Sequence, residues 1–148
     1  MIDSANIKNI FGTQLQSEII CQSCKASSKV HENALDVSLA LSNNVHSLES
    51  AFEGFTKTEI LSHSNKYNCE KCKKLVVANK KMTVSSCPAV LTIQLKRFDF
   101  SKSLKGTKIS NHIAFDEAFD LGPFLSKKTK GVWYDLYGVL VVTFFDLL

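Results

Sequence analysis

At 148 residues, 45% of them hydrophobic, the chain is long enough for one modest core and too apolar to be disordered. Its formal net charge is +4, yet Arg97 is its single arginine, so the positive balance does not by itself point to nucleic acid. No basic segment leading into an apolar stretch opens the sequence, and no apolar run reaches membrane-spanning length, so neither a secreted nor a membrane protein is expected.

In chain order, residues 10–21 alternate, with Phe11, Thr13, Leu15 and Ser17 on one side and Gly12, Gln14, Gln16 and Glu18 on the other. That pattern predicts a half-buried strand running into a cysteine hook, Cys21-Gln22-Ser23-Cys24. Residues 27–41 read as a second strand, with Leu35, Val37, Leu39 and Leu41 spaced by two. Ser47 is placed to cap a helix whose apolar face is Leu48, Ala51, Phe52 and Phe55, with Ser50 where an acid would close the capping box more strongly. Gly54 costs that helix about 1 kcal/mol relative to alanine. A loop over 61–65 returns the chain to Tyr67, predicted to pack its ring over a second hook, Cys69-Glu70-Lys71-Cys72.

Beyond the second hook the pattern is β. Residues 75–84 alternate up to a break at Cys87-Pro88, and 89–100 form the most hydrophobic strand. A turn at Lys105-Gly106, a strand over 108–115, a break at Leu121-Gly122-Pro123, a surface loop over 126–131 and a strand over 133–142 complete the chain. About seven strands and one helix predict an α+β fold with a mostly antiparallel sheet.

The two hooks carry the chemistry. Two residues between cysteines let both thiolates reach one ion from a tight turn, and two such turns supply the four sulfurs of a closed structural zinc site. Cys21, Cys24, Cys69 and Cys72 are therefore the candidate Zn2+ ligands, with two disulfides or free thiols as the alternative. The insert between the hooks is too long for a simple loop and must itself fold. Cys87 is left over, and a reducing compartment, cytoplasm or nucleus, suits the whole set.

Taken together, several strings resemble the ubiquitin-specific protease family of cysteine deubiquitinases. They are Phe11-Gly12, the first hook, Leu35-Asp36-Val37-Ser38-Leu39, the helix running into Phe55-Thr56-Lys57-Thr58-Glu59-Ile60-Leu61, and Lys66-Tyr67-Asn68-Cys69-Glu70-Lys71-Cys72-Lys73-Lys74. Ala78, Lys80-Lys81, Pro88-Ala89-Val90-Leu91 and Gln94-Leu95-Lys96-Arg97-Phe98 follow in the family's order. The resemblance implies a papain-like architecture in which thumb and palm join a zinc-bearing fingers region and grip ubiquitin. It places the four hook cysteines on the zinc positions and lays out 1–148 as one partial domain, fingers over about 17–81 and palm strands over about 10–16 and 82–142. Ubiquitin and ubiquitinated proteins are the implied partners, with no nucleic acid and no membrane.

Thiol hydrolysis of an isopeptide needs a cysteine nucleophile, a histidine base, a residue to orient it and an oxyanion hole. The resemblance puts the nucleophile before the first hook, where residues 1–9 hold no cysteine, and the histidine after Tyr134-Asp135-Leu136-Tyr137-Gly138-Val139-Leu140-Val141, where Val142 stands. No catalytic residue is assigned. Cys87 with His112 is the rival pair, weaker than a structural role for each; His31, His46 and His63 are unneeded as ligands, and Asp99, Asp116, Glu117 and Asp120 make no convincing acid–base pair. The expectation is a fragment of a thiol-dependent ubiquitin carboxyl-terminal hydrolase, inactive alone. The alternative is a non-catalytic zinc-ribbon module that holds ubiquitin; a zinc-ribbon nucleic-acid binder is disfavoured by the scarcity of arginine.

Overall fold

The computed structural model describes residues 4–99 and 107–141. A helix, α1 (Ser4–Phe11), comes first and was not expected: Ile10 and Phe11 finish it instead of starting a strand. Gly12 ends it by donating its N–H to the Lys8 carbonyl at 2.9 Å, and a Cβ there would lie 2.1 Å from that oxygen, so only glycine fits. Strand β1 (Thr13–Cys21) follows. Its pairing shifts between Gln14 and Leu15, and across that bulge Thr13 and Gln16, three apart, are both buried.

The single strand expected over 27–41 is two. β2 (Ser27–Ala34) is an almost wholly exposed edge strand antiparallel to β1, and the chain then bends at Leu35-Asp36 into the buried β3 (Val37–Ala40). Helix α2 (Leu48–Thr56) begins where Ser47 was expected to cap it. The Ser47 hydroxyl accepts the Ser50 N–H at 3.1 Å and the Ser50 hydroxyl accepts the Ser47 N–H at 3.0 Å, so serine closes the box in place of an acid. Next come β4 (Glu59–Leu61), a 3-10 turn (His63–Asn65), β5 (Tyr67–Cys69), β6 (Lys74–Val76) and β7 (Ala78–Ser86). The predicted run over 75–84 is interrupted at Val77, whose carbonyl takes the Gln22 N–H at 3.0 Å. Strands β2-β1-β7-β4 form one antiparallel sheet, and β5 pairs with β6 as a hairpin.

Downstream strands are shorter than expected. The run over 89–100 yields β8 (Ile93–Lys96) and β9 (Phe98–Asp99), and β8 pairs with β3 in parallel, whereas the other paired strands among the described residues are antiparallel. Of the strand over 108–115, β10 (Thr107–Lys108) and an isolated bridge from Ala114 to Ser47 remain. Of the strand over 133–142, β12 (Trp133–Asp135) forms, antiparallel to β11 (Ala118–Asp120). An apolar alternating segment becomes a strand only where a partner completes its ladder, and Tyr137 and Leu140, 82% and 91% exposed, have none there. The Lys105-Gly106 turn and Val142 lie outside the described residues. Twelve strands and two α-helices, all α+β, are present among the described residues, and none of the helices is long and apolar enough to cross a membrane.

Two cores result. The larger collects Val37, Leu39 and Leu41 around β3, Ala51 and Phe52 of α2, Val84 of β7, and Ile113, Phe119, Leu121 and Phe124. Phe52 is its centre, with ring centroids 5.0 Å from both Phe119 and Phe124. The smaller core is Cys21, Cys69 and Val76, flanked by Cys24, Tyr67 and Cys72. Asp120 fixes the loop beneath Phe124: its carboxylate accepts N–H groups from Gly122 at 2.9 Å, Gly131 at 3.2 Å and Val132 at 2.9 Å. Those bonds, that of Gly122 foremost, hold the carboxyl below its ordinary range.

Phe52→Ala should cost about 3–5 kcal/mol in chemical denaturation, because three rings lose their common contact. Asp120 has a folded pKa below its unfolded value, so its stabilisation is fully present above about pH 4 and lost as pH falls through the folded value. Asp120→Ala should melt below the parent at pH 6, and the gap should close in acid.

Candidate metal centre

Each hook is a tight turn built the same way. The Cys24 N–H points at the Cys21 sulfur at 3.4 Å, and the Cys72 N–H at the Cys69 sulfur at 3.4 Å. The next residue closes each turn, Lys25 N–H to the Cys21 carbonyl at 3.0 Å and Lys73 N–H to the Cys69 carbonyl at 2.8 Å. Both lysines sit in the left-handed region, at φ 59° and 54°. The first hook ends β1, where Cys21 faces Ala78 across the sheet, and the second joins β5 to β6. Long-range pairing thus brings together two hooks that lie far apart in sequence.

The four sulfurs lie within 4.8 Å of one another. Across the hooks, Cys21 to Cys72 is 3.8 Å and Cys24 to Cys69 is 3.7 Å. All are free thiols, far beyond the roughly 2.05 Å of a disulfide. A tetrahedron with metal–sulfur bonds of about 2.3 Å has sulfur–sulfur edges of about 3.8 Å, so the cluster has the spacing to hold a metal ion. Cys21 and Cys69 are buried, and Tyr67 packs against them as its position beside the hook suggested.

Electrostatics point the same way. The Cys24 N–H, the largest influence, draws the Cys21 thiol down to about 6. Hydrogen bonding with the Cys24 sulfur, followed by burial and the other two sulfurs, pushes Cys72 up to about 12. Four thiols this close cannot ionise together without a compensating cation.

The remaining candidates stay apart from this cluster. His31 Nε2 is 3.2 Å from Gln16 Oε1 on the sheet, and His46 and His63 do not join the sulfurs. Cys87 is exposed past the end of β7, next to the Tyr134 side chain, whose hydroxyl donates to the Pro88 carbonyl at 2.7 Å. Burial pushes the Cys87 thiol up, the reverse of an activated nucleophile, and His112 is exposed. Asp116 and Glu117 are exposed, and Asp120 is occupied by backbone. The paired Cys-x-x-Cys spacing announced the ligand-type residues; the left-handed lysines were not foreseen, although Cys-x-x-Cys-Lys occurs twice.

Cys69→Ala and a chelator should each lower the melting temperature and reduce the far-UV signal of the β5–β6 region, since metal affinity in small thiolate sites is coupled to folding. An unchanged melt and spectrum under both treatments would show that the cluster holds no metal.

The ubiquitin carboxyl-terminal hydrolase family model matches residues 1–143. Probable ubiquitin carboxyl-terminal hydrolase 16 of Schizosaccharomyces pombe is 40% identical over 94% of the chain and 30% of its own length. Ubiquitin carboxyl-terminal hydrolase 23 of Arabidopsis thaliana is 42% identical over 91% of the chain and 16% of its own. Among solved structures, a chain of the SAGA DUB module with Ubp8, bound to monoubiquitin, superposes with a TM-score of 0.76 at 28% identity, covering 87% of this chain and 29% of that one. The chain therefore spans less than a third of the relatives compared.

Proposed function

The chain belongs to the ubiquitin carboxyl-terminal hydrolase family, and from that premise we propose that it forms the zinc-stapled, ubiquitin-gripping part of a thiol-dependent deubiquitinase. In this reading residues about 17–81 are the fingers, about 10–16 and 82–142 belong to the palm, and Cys21, Cys24, Cys69 and Cys72 bind Zn2+. The observation that carries it is the sulfur cluster: a closed set of four cysteines suits structural zinc and leaves no open position for a reacting water. Bound there, the ion would cross-link the end of β1 to the β5–β6 hairpin and take no part in a reaction step. Free thiols throughout support a reducing compartment, cytoplasm or nucleus.

One face of the four-stranded sheet suits a protein partner. Val30, Ser17 and Met82 lie in one cross-strand row, and Ser28, Ile19, Lys80 and Glu59 in the next. Val30 is 62% exposed, and a cleft of about 360 Å³ opens beside Phe55, Glu59, Lys80 and Met82. The opposite face is polar: Glu18 lies with Lys29 and Lys81, and Gln16 with His31 and Thr83, Gln16 and Thr83 being buried. The apolar row is the surface assigned to ubiquitin here, and the monoubiquitin bound in the similar Ubp8 structure supports ubiquitin as the ligand.

Removal of ubiquitin by isopeptide hydrolysis is the activity of the whole enzyme in this reading. Within the chain, Cys87 is not activated and no base is assigned, so little beyond binding remains to accelerate hydrolysis. Calorimetric titration of the zinc-loaded chain with monoubiquitin should detect binding, and Met82→Arg should weaken it by roughly five- to thirtyfold, the effect of losing one or two kcal/mol at an interface. A folded, zinc-loaded chain that ignores ubiquitin defeats the assignment. In a ubiquitin-tail release assay the chain alone should match buffer; release that Cys87→Ala abolishes would contradict it.

A further inference from the structure

The net charge of this chain is not spread over it. Lys25, Lys66, Lys71, Lys73 and Lys74 are all exposed around the two hooks, with Glu70 the one acid among them. Their excess of four equals the formal charge of the entire chain, so the remaining charges sum to zero, although Lys127, Lys128 and Lys130 make a smaller basic cluster in the loop over 126–131. Lys71 lies inside the second hook, Lys25 and Lys73 close the two turns, Lys74 pairs with Cys69 in the β5–β6 hairpin, and Lys66 adjoins Tyr67. A single cluster of sulfurs therefore holds the backbone of all five lysines in one small region.

Two of these lysines occupy backbone positions that glycine would take more easily. Lys25 and Lys73 are both left-handed, a conformation disfavoured for residues with a Cβ. The turn itself needs only the N–H of that residue, which glycine supplies equally well. Side chains kept at such positions mark them for what the side chain does. A zinc tetrathiolate centre would offset part of the positive field, but from a half-buried position, while the lysines are exposed.

We propose that this basic tip is a docking surface for an acidic polypeptide segment, distinct from the sheet face assigned to ubiquitin. The chemistry favours carboxylates over nucleic acid. Lysine is a mobile point charge that pairs with single carboxylates, and the tip lacks the planar arginine fork that reads phosphate and guanine. The one arginine is engaged elsewhere, donating to the carbonyls of Ile109 and Asn111. The tip also lacks a free ring for base stacking, since Tyr67 packs against the sulfurs. Leu75, 63% exposed on β6, suits an aliphatic side chain among the acids of the partner.

The test uses the zinc-loaded full chain and a fluorescein-labelled peptide of ten residues, glutamates with two leucines, followed by anisotropy at low salt. Lys25→Gly/Lys73→Gly removes two charges and relieves both left-handed positions, so the fold survives and the melting temperature should hold or rise. Lys127→Ser/Lys130→Ser removes the same charge from the exposed loop far along the chain. The tip variant should lose roughly five- to tenfold in affinity and the loop variant less than about twofold, and about 0.3 M added salt, which shortens the screening length well below 10 Å, should weaken binding. Equal losses in both variants, or no binding by the parent chain, would overturn the proposal. Displacement of the peptide by saturating monoubiquitin would assign the tip to the ubiquitin surface, and tighter binding of a single-stranded RNA that displaces the peptide would assign it to nucleic acid; either result also overturns it. Peptide binding that persists in a chain that ignores ubiquitin would leave the tip standing while the ubiquitin reading fell.

Discussion

Four sulfurs meeting at the end of a long antiparallel ribbon are the constraint on which this part of the molecule depends. The core around them contains only Cys21, Cys69 and Val76 as buried members, too little apolar matter to order a hairpin and two turns unaided. Joining hooks that are far apart in the chain also costs loop-closure entropy. A metal ion held by the four thiolates, as proposed, would offset both costs at one point, and the N–H bonds onto the Cys21 and Cys69 sulfurs fix the shape of each turn.

Strand β7 ties that end to the rest. Its first residue, Ala78, is fully buried opposite Cys21, and further along Val84 is fully buried in the main core beneath α2. Between them, Lys80 and Met82 face the surface assigned to ubiquitin, while Lys81 and Thr83 face the polar side. A strand anchored at both ends holds its middle in register, because a slip of one residue would exchange the two faces. Phe52 provides the second anchor, since its ring against Phe119 and Phe124 joins α2 to the loop that Asp120 holds.

Charge is segregated along the same axis. The sheet pairs its charges across strands, as in Glu18 with Lys29 at 3.5 Å, and the tip leaves its lysines unbalanced. Two of the lysines at the tip, Lys25 and Lys73, sit where the backbone would rather have glycine.

Much of this was legible in the residues. The paired hooks identified the metal-type cysteines because ligand spacing is local, and Ser47 with the Leu48, Ala51, Phe52 and Phe55 face located α2 because capping and helical period are local too. Strand limits were not, because alternation records which side is apolar and not whether a neighbour exists to complete the ladder. The stretch after Trp133 has the pattern of a strand, yet pairing with β11 ends at Asp135. β8 has the hydrophobicity of a central strand, and only the packed structure assigned it a parallel partner in β3. Residue chemistry and short-range spacing thus determined which four cysteines form the candidate site, the helix and the family likeness. Tertiary structure decided which sulfurs oppose which, where each strand stops, and that the lysines gather at one tip, since each depends on contacts between segments remote in sequence.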